Sequence, residues 1–307
     1  MGPRLTPQVF EDLAQFVEAL LGEHLEKNLS RFKRAKMCGN TDFIPHRLAY
    51  LYDRMVDARR TTKLSPPSGD LGALTELNVF RSLVDEFKTE PGWSDIKSEL
   101  NAPRSFAHLM NLLIFLKMQR GRNVNCGFVT SNSTVGKSAD IAMFTPLKDR
   151  INVEIKAPEK LITPIDLSKD DTDRIIRQSW KRAREQLGNE ASILVIGGLF
   201  IPKKCLDLLE LSAQEFLDRK QNKNVAFIRI QSISLLMENP IIDGDKLAMG
   251  KGTNLTPQIT LRQAKNNSYQ NIVEFYTTNK IADGFSKSDE NQKELTVEGD
   301  KIIRKPN

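Results

Sequence analysis

With 307 residues, 39% of them hydrophobic, the chain can bury a full core in one large domain or two. Its net charge of +6 suits a polyanionic partner without demanding one, and no apolar run reaches the roughly 18 residues of a membrane span. Three scattered cysteines, Cys38, Cys126 and Cys205, exclude a disulfide scaffold and no signal peptide opens the chain, so a soluble, intracellular (cytoplasmic) protein is expected.

Residues 5–36 read as one long amphipathic helix, with Val9, Leu13, Phe16, Leu20 and Leu21 on one side. It ends in a basic cluster at Arg31, Lys33, Arg34 and Lys36. A second helix is expected over about 46–60. Together they form an N-terminal helical region, 1–61, whose surface offers itself to a second copy or a protein partner. Thr61–Asp70, with Pro66, Pro67 and Gly69, reads as a linker. Over 71–88, Leu77, Phe80, Val84 and Phe87 recur at helical spacing. On that wheel Glu76 falls about 40° from Phe80, beside the apolar stripe. An acid facing the core is costly unless paired or bound to a metal; the plainer alternative is a hydrogen-bonded Glu at the edge of the stripe.

A helix at about 103–119 and a strand at about 123–130 come next. His108, on that apolar helix, reads as a core residue, and with His24 and His46 it makes no metal-ligand spacing. Gly136-Lys-Ser138 lacks the earlier glycine of a nucleotide-binding loop and leads into a strand, although Lys137 is a candidate phosphate contact.

The most informative stretch is Ser138-Ala-Asp-Ile-Ala-Met-Phe144, a polar turn, and Ile151-Asn-Val-Glu-Ile-Lys-Ala157. In a strand, residues i and i+2 share a face, so Glu154 and Lys156 project together while Ile155 points the other way. A hairpin symmetric about Leu147 sets Asp140 across from Glu154, with Cβ atoms roughly 5 Å apart. Two carboxylates so close repel unless a cation lies between them, which suggests a divalent site of oxygen ligands. The alternative is an exposed hairpin carrying an ion-pair ladder. Other acid-x-Lys triplets, such as Glu86-Phe-Lys88, lack the flanking strand pattern.

Beyond Lys156, a helix over about 172–187 has Ile175, Ile176, Trp180, Ala183 and Leu187 as its apolar face. Arg174, Arg177, Lys181 and Arg184 recur at i, i+3, i+7 and i+10, a basic stripe suited either to phosphates or simply to solvent. Ser192–Ile201 reads as a buried strand with a Gly pair. A helix at about 204–219 and a strand at about 224–232 extend the unit. From about 238 the periodicity is weak, and 283–307 reads as a mobile tail.

Asp140, Glu154-x-Lys156 and the order of elements around them resemble the PD-(D/E)XK nuclease superfamily. The resemblance spans about residues 71–200, and the leading Pro of the motif is Ala139 here. It implies an α/β fold with a restriction-endonuclease-like core, a mixed central sheet flanked by helices, over 71–235. The N-terminal helical extension precedes that core, and a C-terminal extension covers 236–307. It further implies hydrolysis of phosphodiester bonds with Mg²⁺ or Mn²⁺. Asp140, Glu154 and the Ile155 carbonyl would be ligands, Lys156 would orient water or stabilise charge, and Glu76, the acid of the first core helix, would bind the metal directly or through water. A nucleic-acid partner follows, with DNA favoured because most of the superfamily acts on it. Some recombination-type members carry Gln-x-x-x-Tyr on the following helix; here Gln178 is followed by Arg182, so that submotif is not assigned. A silent nuclease fold serving as a nucleic-acid-binding or assembly module is the competing reading. A third is a helical interaction protein built on residues 1–60.

Overall fold

The computed structural model describes residues 7–307 except 41–42, 44, 62–67, 103–104, 130–138, 146, 163–165, 188–191, 220–224, 239–240, 244–245, 249–251, 264–294, 299–300 and 305–307. Side chains are described up to residue 233, apart from those of 58–71.

The expected single N-terminal helix is two, α1 (Pro7–Leu21) and α2 (Glu23–Met37). Gly22 divides them at φ 52° and ψ −132°, a backbone region open to little but glycine. Next come α3 (Arg47–Thr61) and α4 (Ser68–Phe87), so the tail of the expected linker is already helical. A short α5 (Trp93–Glu99), not anticipated from the sequence, leads to α6 (Ser105–Arg120). Among the described residues no helix is long and apolar enough to cross a membrane, and no disulfide links the three cysteines.

The chain is α/β. Strands β1 (Asn125–Phe128), β2 (Ile141–Phe144), β3 (Arg150–Lys156), β4 (Ser192–Leu199) and β5 (Val225–Glu238) lie in sequence order in a mixed sheet. A sixth strand, β8 (Gly252–Gln263), pairs antiparallel with β5 at the edge. The first three strands form an antiparallel meander, whereas β4 runs parallel to β3 and β5 parallel to β4. Parallel neighbours need crossovers. These are α7 (Lys169–Leu187) and α8 (Lys203–Leu217). Small antiparallel pairs, β6 (Ile241–Asp243) with β7 (Lys246–Ala248) and β9 (Leu295–Glu298) with β10 (Lys301–Arg304), complete the description. The last pair replaces part of the expected mobile tail: Leu-Thr-Val-Glu and Lys-Ile-Ile-Arg flank Gly299-Asp300, a hairpin pattern.

Strand β4 is buried on both faces. Ile193 and Val195 join a cluster with α1, α3, α4 and α6, while Leu194 and Ile196 join a second cluster with α7 and α8. The sheet therefore has helices on each side, and the N-terminal helices share one continuous core with it. Helix α6 is buried everywhere except at His108 and Arg120, as expected of a helix packed between a sheet and other helices. Close approach on both faces explains the Gly pair of β4: a methyl group at Gly197 would collide with Asn111 of α6, and one at Gly198 with the Leu161 carbonyl and Ile201.

Candidate active site

The site lies where the meander opens beside α7. Ile141 pairs with Val153, so the next rung sets Asp140 across from Glu154, the register that symmetry about Leu147 predicts. Side chains close that rung. The Ile155 amide donates to Asp140 Oδ2 at 2.7 Å, and the Asp140 amide donates to Glu154 Oε2 at 3.3 Å. Within a strand the amide and carbonyl of one residue leave the same edge, so the Ile155 carbonyl also faces the Asp140 side, beyond the last β2 rung. Alternation along β3 sends Ile151, Val153 and Ile155 into the α6-side core. It sends Glu154 and Lys156 toward α7.

Glu154 is 0% exposed, and the side chains of Asp140 and Lys156 retain only 16% and 21%. Burial, reinforced by the neighbouring Asp140 carboxylate, pushes the Glu154 carboxyl up to about 8, against the pull of Lys156. Two acids and one amine thus share a site where one buried carboxylate lacks enough positive charge. Lys156 Nζ contacts Glu154 Oε1 and donates to Gln186 Oε1 of α7 at 2.9 Å. These groups line the floor of a cleft of about 710 Å³.

Four residues outside the expected site line the same cleft. His108 of α6 is not a core residue. It is partly exposed, and its Nε2 lies 3.7 Å from Asp140 Oδ1. His108 is one of the few polar residues of a largely apolar helix, and unlike Asn111, Lys117 and Gln119 it is not buried. Gln178 and Arg182 also line the cleft, with Gln186. The three recur every four residues on α7, the spacing of one helix face.

Other expected site residues lie elsewhere. Glu76 is buried at 4% exposure, but its carboxylate meets Arg47 in a fork, Arg47 Nε to Oε1 at 2.9 Å and Nη2 to Oε2 at 2.5 Å. It does not line the cleft. Glu76 is thus a buried acid, as its place on the helical wheel predicts, but its cation is a guanidinium and not a metal. The helix that immediately precedes the meander and packs on it is α6, which carries no acid. Of the basic stripe, Arg174 lines the cleft, with Nη2 held by Asp171 Oδ1 at 2.5 Å. Arg177 lines a second cavity of about 410 Å³ with Asp170, Arg174 and Gln178. Lys181 and Arg184 line neither. The apolar residues Ile175, Ile176, Ala183 and Leu187 fix the rotation of α7 and turn the 174–178–182–186 row inward. Lys137 lies outside the described residues.

Among the described residues, no group of three or more His, Cys, Asp or Glu is placed to hold a metal ion. The donor chemistry still suits Mg²⁺ or Mn²⁺ better than zinc. Two carboxylates and a backbone carbonyl are hard oxygen donors, and Mg²⁺ commonly takes one or two carboxylates, leaving its other positions to water and phosphate. Compared with known proteins, the chain matches no family model, no curated protein and no solved structure. The functional reading therefore rests on the geometry.

Proposed function

We propose that the chain is a metal-dependent nuclease, a phosphodiester hydrolase with a restriction-endonuclease-like core. The observation that carries this reading is the Asp140–Glu154 pair. A fully buried carboxyl faces a second acid in an open cleft, its pKa raised by burial and like charge, with an amine two residues along the strand. The order α6, antiparallel β1–β2–β3, α7 and parallel β4 supports it, being the core order of the superfamily that the motif resembles.

Asp140, Glu154 and the Ile155 carbonyl would hold Mg²⁺ or Mn²⁺, which supplies an activated water and charge neutralisation at the phosphate. The fixed rung between Asp140 and Glu154 orients both carboxylates before substrate arrives. Lys156, steadied by Gln186, presents a cation to the developing negative charge. His108 borders Asp140, its Nε2 3.7 Å from Oδ1. Arg174 and Arg182 add positive charge to the wall of the cleft, which suits a polyanion. DNA is favoured over RNA by the superfamily resemblance alone.

A second reading has one observation in its favour: among the described residues, no group of three or more His, Cys, Asp or Glu is placed to hold a metal ion. A silent nuclease-like module would bind nucleic acid without cutting it. One assay separates the two. Purified protein is incubated with plasmid, linear duplex, single-stranded DNA and RNA, with Mn²⁺ or with EDTA. The nuclease reading expects cleavage with Mn²⁺ and none with EDTA; binding without cleavage under both conditions establishes the silent module.

A further inference from the structure

We propose that α7 carries a track for one unpaired nucleic-acid strand, with Arg174, Gln178 and Arg182 engaging successive phosphates on one side of the scissile bond. The track rests on the phosphodiesterase reading of Asp140 and Glu154, but it makes its own prediction about binding.

All three residues are exposed on one face of α7 and line the cleft. Each step of four residues advances about 6 Å along the helix, comparable to the separation of neighbouring phosphates along one strand. Arg174 and Gln178 also line the second cavity, with Arg177. The concave surface therefore continues from Lys156 and Gln186 along α7 toward its N-terminal turns. Asp170 and Asp171 occupy the first turn. Asp171 accepts Lys160 at 2.6 Å and Arg174 at 2.5 Å, fixing two cleft cations in place. The same acids repel a phosphate that would go further, so the row ends there and the footprint is short.

The depth of the acid pair argues for an unpaired strand. Glu154 has no exposure, and Asp140 and Lys156 are largely covered, so the reacting phosphate must descend between α6 and α7. A flexible single strand can bend into such a cleft. A duplex reaches the floor only by a costly distortion. Gln178 between two arginines supplies a hydrogen bond without charge, so the track has two ionic contacts and one neutral one.

The test is fluorescence anisotropy in EDTA, where cleavage is absent, with a labelled single strand of about 12 nucleotides, a length within the range of single-strand sites. DNA and RNA versions and the matching duplex form separate arms. Arg182→Ala should weaken single-strand binding about tenfold. It should also lower the slope of log K against log salt by nearly one unit. Gln178→Ala should weaken binding without changing that slope. Arg184→Ala, on the same helix but outside both cavities, should leave both unchanged, and circular dichroism melting checks that each variant folds. Equal losses at Arg182 and Arg184, no loss at Arg182, or tighter binding of the duplex would each overturn the track. Similar results with DNA and RNA support it, since the contacts are to phosphate. If Arg182 and Gln178 behave as expected while Mn²⁺ produces no cleavage, the track stands and the nuclease reading falls.

Discussion

Two glutamates of this molecule are buried about equally, and they sit in opposite electrostatic circumstances. Glu76 of α4 is 4% exposed, and both its oxygens are taken by the fork of Arg47. Glu154 of β3 is 0% exposed; it faces Asp140 and shares a single amine, Lys156, whose other contact is Gln186. The first arrangement satisfies its charge within the fold, with geometry suited to a guanidinium. The second leaves negative charge undercompensated at the floor of a cleft, which is where a cation or a proton must complete the site. Burial of an acid thus marks a cost, and the partner decides whether that cost is structural or functional.

The sharpest way to break this contrast is to remove the acids of the cleft. Asp140→Ala or Glu154→Ala should reduce Mn²⁺-dependent cleavage at least about 10³-fold, because several kcal/mol of charge stabilisation depend on that pair. The fold should survive with equal or slightly greater stability in EDTA. Full activity in both variants would end the nuclease assignment. At Glu76 the pattern should invert. Glu76→Gln should cost about 2–3 kcal/mol of stability, a buried pair broken beside a guanidinium that is one-third exposed. Cleavage per folded molecule should stay near that of the parent. A selective loss of turnover with normal melting would restore Glu76 to the site.

The same contrast has a pH signature. A carboxyl whose folded value lies above its unfolded value binds extra protons in the folded state between the two. Stability of the metal-free protein should therefore fall as pH rises from about 4.5 through about 8. Glu154→Gln removes that penalty. In EDTA it should raise stability by about 1–2 kcal/mol above pH 8, roughly 1.5–3 °C in Tm for a chain of this length, and by nearly nothing near pH 4. A difference that does not change with pH would mean that Lys156, and not burial, governs the Glu154 carboxyl.

The sequence made the hairpin legible because two independent regularities agreed. Period-2 alternation put Glu154 and Lys156 on one face, and symmetry about Leu147 set the register to Asp140. It misplaced the first-helix acid because amphipathic stripes reveal half-buried helices. Helix α6 is buried on nearly all sides, so it has no stripe, and its one informative residue, His108, looked like core. The basic stripe of α7 coincides with the cleft only at Arg174, for a related reason. Charge periodicity names a face, but only the packing of Ile175, Ile176, Ala183 and Leu187 says which face meets the cleft. Strand β8 was missed although Leu255, Ile259 and Leu261 alternate. Pro257 is tolerated in it because β8 is the sheet edge.

The finest probe of the cleft is Gln186, which lies 30 residues from Lys156 in sequence but donates no charge to the site. Its Oε1 accepts a hydrogen bond from Lys156 Nζ at 2.9 Å, beside the contact of the same amine with Glu154 Oε1. If that contact holds Lys156 in position for the reacting phosphate, Gln186→Ala should lower kcat about fivefold, the worth of about 1 kcal/mol of hydrogen bonding. KM and the Mn²⁺ concentration for half-activity should barely move, since the acids that would hold the ion are untouched. Gln186→Glu keeps the acceptor and should recover most of the rate, though an added negative charge beside Lys156 shifts the pH profile. A residue that merely packs α7 against β3 predicts something else: lower melting temperature in both variants, with kcat per folded molecule unchanged. Melting curves measured beside single-turnover rates separate these outcomes, and an unchanged rate in Gln186→Ala would leave Lys156 positioned by Glu154 alone.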